Sequence, residues 1–148
     1  IGRAHTFHPR ATILGVNVQH MVPQGREMII GMNRDIIFGP LLMFGLGGIY
    51  VNFLRDVSFR LAPLSKQNAI DMIHETKAYT LLRGIRGETS SDIDSIVDVI
   101  LRISQLVTEY SEISELDINP LFVYKQSQGS SALDVKITIS LDHGGKTT

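Results

Sequence analysis

Around residues 115–121 the chain alternates polar and apolar side chains. Glu115, Asp117 and Asn119 fall on one side of an extended segment and Leu116 and Ile118 on the other, the period of a strand with one buried face. Pro120 has no amide proton to give a ladder, so it marks a strand end or a bulge where the polar face stops. Residues 121–124 resume as a strand, and the polar, glycine-containing 125–131 form a hairpin loop. Residues 133–141 alternate again, with Leu133, Val135, Ile137, Ile139 and Leu141 on one face and Asp134, Lys136, Thr138 and Ser140 on the other. Folded as a hairpin, the two segments bring Asp134 towards Asp117 and Asn119.

Upstream, residues 1–10 are basic and show no period, an irregular lead-in. Residues 15–22 are strand-like and 26–32 return after a turn at 23–25, which predicts a hairpin. A second turn at 33–35 leads to a third strand over 36–44, with Gly39 and Pro40 inside it as signs of an edge or a bulge. The glycine-rich 45–48 is either a phosphate cradle or a tight turn between close strands. Because it leads into a strand at 49–54 and not into a helix, the tight turn is favoured. Val57, Phe59 and Leu61 alternate with Ser58 and Arg60. Arg60 has the fork to hold a phosphate, though a solvated or salt-bridged strand position is the commoner fate.

Ser65 is the expected N-cap of a helix over 66–83, broken near Thr76. A second helix over 92–110 follows a capping box at Ser91 and Asp94. Its Ile93, Ile96, Val97, Ile100, Ile103 and Val107 make one apolar stripe. Residues 143–148 read as a flexible tail. The order of strands, then helices, then strands predicts an α+β fold, helices packed on a largely antiparallel sheet, in one domain over 1–142.

Composition narrows the chemistry. The 148 residues carry a net charge of −1 and no cysteine. Near-zero charge gives no electrostatic case for nucleic acid or an anionic membrane. Absence of cysteine removes disulfides, thiol nucleophiles and thiolate metal sites and fits a reducing, cytoplasmic setting. No apolar run is long enough to span a bilayer. Asp117, Asn119 and Asp134 remain as hard oxygen ligands suited to Mg²⁺, or as the ordinary polar face of a half-buried sheet, which spacing alone favours.

The strings Asp-Ile-Asn-Pro-Leu at 117–121 and Asp-Val-Lys at 134–136 resemble the metal-binding end of the ATP-grasp domain. Phe-Gly-Pro at 38–40, Phe-Gly-Leu-Gly-Gly-Ile at 44–49, Phe-Arg-Leu-Ala-Pro-Leu at 59–64 and Leu-Leu-Arg-Gly-Ile-Arg-Gly at 81–87 are similar to the NDP-forming acyl-CoA synthetases. These are the ADP-forming acetate–CoA ligases, relatives of succinyl-CoA synthetase. The resemblance runs over about residues 11–141 and implies the C-terminal subdomain of an ATP-grasp module.

That resemblance implies a Mg²⁺ held by Asp117, Asn119 and Asp134, with Glu115 in the same pattern. It implies ATP or ADP bound by a hinge at Gln19, His20, Met21 and Val22, whose backbone reads the adenine edge. Glu27 matches the family's acid after the turn, a ribose contact or a structural group. The implied activity is a ligase reaction through acyl phosphate and a phosphohistidine carried elsewhere. Partners would be a CoA-binding α subunit or domain and the N-terminal ATP-grasp half, in a hetero-oligomer. No catalytic role is assigned to His5, His8, His20, His74 or His143. Asn52 stands where the family usually has an acid, and an amide there opens a second reading, a non-catalytic ATP-grasp remnant serving as scaffold or regulatory module. Acyl substrate and base preference leave no trace in these residues.

Overall fold

The computed structural model describes residues 2–48, 56–85 and 87–140. Its strands are β1 (Arg26–Asp35), β2 (Gly39–Leu46), β3 (Val57–Leu61), β4 (Ile113–Val123), β5 (Ser130–Ala132) and β6 (Val135–Ile139). They form an antiparallel sheet in the order β3-β2-β1-β4-β5, with β6 also paired to β4. The helices are α1 (Gly2–Phe7), α2 (Lys66–His74), α3 (Ala78–Leu82) and α4 (Ile93–Glu109). This is the α+β arrangement the patterning predicts.

One sheet face carries the core. Met28, Ile30 and Met32 of β1 lie between Leu42 and Phe44 of β2 and Leu116, Ile118 and Leu121 of β4. Against them pack Ala69, Met72 and Ile73 of α2 and the stripe Ile96, Ile100, Ile103 and Val107 of α4. Each of the larger side chains contributes about 1.5–3 kcal/mol relative to exposure. Two polar anchors fix the helices on this face. Ser58 Oγ donates to Met72 O at 2.7 Å. The Arg34 guanidinium donates to Val107 O at 2.6 Å, Tyr110 O at 3.1 Å and Ile113 O at 2.9 Å. The first two are carbonyls that the end of α4 leaves without an intrahelical partner.

Several predicted elements are corrected. Residues 1–10 contain α1 instead of only irregular chain. Residues 15–22 are not a strand, and no hairpin joins them to 26–32. The alternation suits a strand, but β1 has β2 on one edge and β4 on the other, so no ladder position is left for them. β1 runs through the predicted turn at 33–35, and the turn falls at 36–38. Asp35 Oδ1 accepts the amides of Ile37 at 2.7 Å and Phe38 at 2.9 Å, so its side chain turns the residues that follow the polar cluster and not the cluster itself. Pro40 therefore sits near the start of β2, an interior strand. The predicted strand at 49–54, Asn52 and the tail at 143–148 lie outside the described residues.

The helix over 66–83 is two helices, parted at Thr76 as expected, and Ser65 forms a capping box with Asn68. The cap of α4 is Asp92, not Ser91. Asp92 Oδ1 accepts Ser95 N–H at 3.1 Å, and Oδ2 accepts Gly129 N–H at 2.8 Å. Ser91 is drawn into a bridge with Lys125 instead. One carboxylate thus caps a helix and ties down the β4–β5 turn.

Arg34→Met keeps the apolar stem and removes the donors. It is expected to cost about 2–4 kcal/mol in urea unfolding, because partly buried carbonyls lose a charged partner. A loss below about 0.5 kcal/mol would contradict that role.

Candidate functional site

Among the described residues, the helices that join the core pack on one face of the sheet only, and the site candidates lie on the other. Asp117 lies in register with Gly31 of β1 on one side and Lys136 of β6 on the other. A Cβ on Gly31 would lie 3.2 Å from Met43 Cε and 3.9 Å from Asp117 Oδ1. The missing side chain thus leaves the floor low in front of the carboxylate. A cleft of about 310 Å³ follows, lined by Met43 and Phe59 at one end and by Glu115, Asp117 and Lys136 at the other.

Next to it the β4 ladder breaks. Ile30 pairs with Ile118 and Met28 with Leu121, so Asn119 and Pro120 bulge opposite Ile29, as Pro120 predicted. The bulge is held by backbone bonds to the segment between β5 and β6. Asn119 N–H donates to Asp134 O at 3.1 Å, and Leu133 N–H donates to Pro120 O at 3.1 Å. That segment divides the predicted strand over 133–141 into β6 and a connector, and it fixes Asp134 beside Asn119. Asp117 lines the cleft, the Asn119 side chain meets the Gly48 amide beside it, and the negative charge of Asp134 reaches Asp117.

The glycine-rich turn reaches this site. Gly47 N–H donates to Glu27 O at 2.9 Å, and Gly48 N–H donates to Asn119 Oδ1 at 3.3 Å. Gly48 has φ +67°, and a Cβ there would collide with the Glu27 carboxylate. Gly45 and Leu46 still belong to β2, so of the predicted turn only Gly47 and Gly48 leave the ladder; both approach β1 closely, and the Gly48 amide orients the Asn119 side chain. Sequence reasoning missed that contact, which has no local signal.

The Asp117 carboxyl is pushed above its usual 3.8, first by burial and then by the negative charges of Asp134 and Glu115, with Lys136 opposing. Glu115 Oε2 accepts Thr138 Oγ1–H at 3.1 Å, and Lys136 Nζ stands 3.8 Å from the same oxygen. Among the described residues no three His, Asp or Glu side chains form a ready metal cluster. Asp117 and Asp134 with the Asn119 amide, and Glu115 next to them, are oxygens of the hard kind that suits Mg²⁺.

The other candidates land elsewhere. Gln19, His20 and Met21 are exposed on extended chain and Val22 is partly covered, with no sheet ladder at any of them. Arg60 pairs with Glu75 beside the helices, so it is a salt-bridged position facing away from the cleft. His74 stacks on Tyr79 with ring centroids 4.2 Å apart. No helix among the described residues is long and apolar enough to cross a membrane.

An antiparallel sheet with helices packed on one face is the arrangement of the solved ATP-grasp neighbours, and sequence comparison gives the family. The chain belongs to the ATP-grasp domain family, whose model matches residues 1–139. It is 47% identical over 136 residues to the β subunit of acetate–CoA ligase (ADP-forming) I of Pyrococcus furiosus, covering 92% of this chain and 58% of that relative. The solved structure of PH1788 from Pyrococcus horikoshii matches with a TM-score of 0.80 at 46% identity, over 94% of this chain and 59% of that one. A dinucleotide-forming acetyl-coenzyme A synthetase 1 of Ca. Korarchaeum cryptofilum, solved with coenzyme A and Mg-AMPPCP, matches with a TM-score of 0.76 at 48% identity, over 80% of this chain and 55% of that one. The chain thus spans a little over half the length of these relatives.

The raised Asp117 pKa gives a test with a definite sign. The folded state favours the protonated carboxyl, so its ionisation destabilises the fold above the folded pKa and not below 3.8. Asp117→Asn is expected to raise Tm at pH 7 in metal-free buffer, with the advantage shrinking as pH falls to the usual carboxylate range. An advantage that is constant with pH, or largest in acid, would show that ionisation is not its source.

Proposed function

We propose that the chain supplies the nucleotide and Mg²⁺ floor of an ADP-forming acyl-CoA synthetase, in which acid, CoA and ATP interconvert with acyl-CoA, ADP and Pi. What supports this reading is that Asp117 and Asn119 of β4 and Asp134 of the connector before β6 lie at neighbouring backbone positions, with Asp117 lining the cleft. Hard oxygens at that density are suited to a cation that keeps waters and shares nucleotide phosphates. When bound, Mg²⁺ supplies charge neutralisation between adjacent phosphates during phosphoryl transfer.

The chain's own groups have divided roles. Asp117, Asn119 and Asp134 are the metal ligands, and Gly48 N–H fixes which way the Asn119 amide points. Gln19, His20, Met21 and Val22 form the adenine hinge. Their lack of a sheet ladder supports this, since an extended segment outside a ladder keeps backbone donors and acceptors for a ligand edge. Glu27 flanks the turn that orients Asn119 and is assigned to the ribose end. Turnover requires the N-terminal ATP-grasp half and a CoA-binding α subunit or domain that carries the phosphohistidine, in a cytoplasmic hetero-oligomer.

Calorimetric titration with ADP, with and without Mg²⁺, tests this on the chain and on Asp134→Asn. Binding should require Mg²⁺, and the substitution should weaken it about 10–100-fold with the unfolding midpoint preserved. Absence of binding under every condition, including after an upstream ATP-grasp half is supplied, would exclude the ligase reading and leave the scaffold one.

A further inference from the structure

Among the described strands, Arg26, Arg34 and Arg60 are each engaged elsewhere, and Lys136 is the positive residue that faces the carboxylates. Arg26 bonds Glu88, Arg34 bonds the end of α4, and Arg60 bonds Glu75 on the helix side. Lys136 is in register with Asp117, and its side chain projects over the open face at the cleft. Its contact with Glu115 is loose, 3.8 Å between side chains 74% and 52% exposed. Glu115 already has the Thr138 hydroxyl. A flexible ammonium with three donors can turn among Glu115, Asp117 and Asp134 without repacking anything.

We propose that Lys136 is the resident counter-cation of this face: it neutralises the carboxylates while no metal is bound, and turns to the nucleotide phosphates once a divalent cation takes their oxygens. The inference rests on the metal-floor reading above and adds a residue to it. The reason is electrostatic. Three carboxylates on neighbouring positions repel one another, and a tethered cation lowers that repulsion. A divalent cation seated on Asp117 and Asp134 does the same more strongly and repels the ammonium. An anionic phosphate bridging the metal is then the nearest partner left for it. Lys136 is thus a positioning residue before nucleotide binds and a phosphate contact afterwards.

The test uses Mn²⁺ as the probe, its free fraction read by electron paramagnetic resonance. The 148-residue chain is compared with K136M, K136R and D134N, first alone and then with ADP. Without nucleotide, K136M should bind Mn²⁺ about fivefold tighter than the parent, since one screened like-charge interaction at short range is removed. With Mn²⁺ saturating, K136M should bind ADP about tenfold more weakly, by loss of one charge-assisted contact. K136R should stay within about twofold of the parent in the metal titration, because it keeps the charge. Far-UV circular dichroism should be unchanged in K136M, whose side chain is mostly solvent-exposed, while its metal-free Tm at pH 7 should fall slightly and that of K136R should not, because only K136M leaves the carboxylates without their counter-charge.

The proposal is overturned if Mn²⁺ binds and D134N abolishes it, yet K136M leaves the nucleotide-free Mn²⁺ affinity unchanged or weaker. It is also overturned if K136M binds ADP like the parent. Absence of Mn²⁺ binding by every variant, with and without ADP, is a different failure: it removes the metal floor itself, and the role of Lys136 with it.

Discussion

The two backbone bonds across the Asn119–Pro120 bulge are what the site depends on. One runs from Asn119 N–H to Asp134 O and the other from Leu133 N–H to Pro120 O, both 3.1 Å. Without them the β4 ladder would carry Asp117 and Asn119, and only the last pair of the β4–β6 ladder, Ile118 with Val135, would keep Asp134 near them. The bulge also interrupts pairing opposite Ile29, where the Gly47–Gly48 turn comes close to β1. Asn119 is therefore bonded at two atoms, its amide nitrogen to the Asp134 carbonyl and its side-chain oxygen to Gly48. In the proposed floor, an amide held at both ends would be oriented before any cation arrived, which would lower the ordering cost of binding.

The rest of the domain gives that bulge a rigid base. Met28, Ile30 and Met32 face the helices from the same strand whose Gly31 opens the cleft. Period-two alternation thus assigns structure to one face of β1 and chemistry to the other. Arg34 joins the end of β1 to the end of α4 and the start of β4, so the three elements cannot shift independently. Asp92 does the same at the other end by capping α4 and holding Gly129. Burial, and then the charges of Asp134 and Glu115 against that of Lys136, raise the Asp117 pKa, so ionising this carboxyl costs the fold stability.

The legible parts were those set by local period or chain chemistry. The α4 stripe, the Ser65 cap, the break at Thr76 and the alternation on both sides of Pro120 each predict the observed element. The same alternation put Lys136 on the face of Asp134, although its role needed the register with Asp117 and the whereabouts of the arginines. Residues 15–22 misled because strand pattern is necessary for a strand but not sufficient. The edges of β1 were already taken, a fact fixed by residues 39–46 and 113–123 far along the chain. The turn at 36–38 was misplaced because three apolar residues, Ile36, Ile37 and Phe38, read as strand, while the Asp35 side chain that turns them is a single residue. The contact of Gly48 with Asn119 spans 71 positions and leaves no local mark in the sequence.

The most direct measurement is paramagnetic broadening of backbone amide signals by Mn²⁺ with ADP in the ¹⁵N-labelled chain. If the open face is the nucleotide and metal floor, the amides of Gly31, Gly48, Asn119, Asp134 and Lys136 should vanish first. Those of Glu75, Asp98 and Arg102, on the far side of the helices, should persist. Broadening centred on the helices, or spread evenly over the protein, would contradict it.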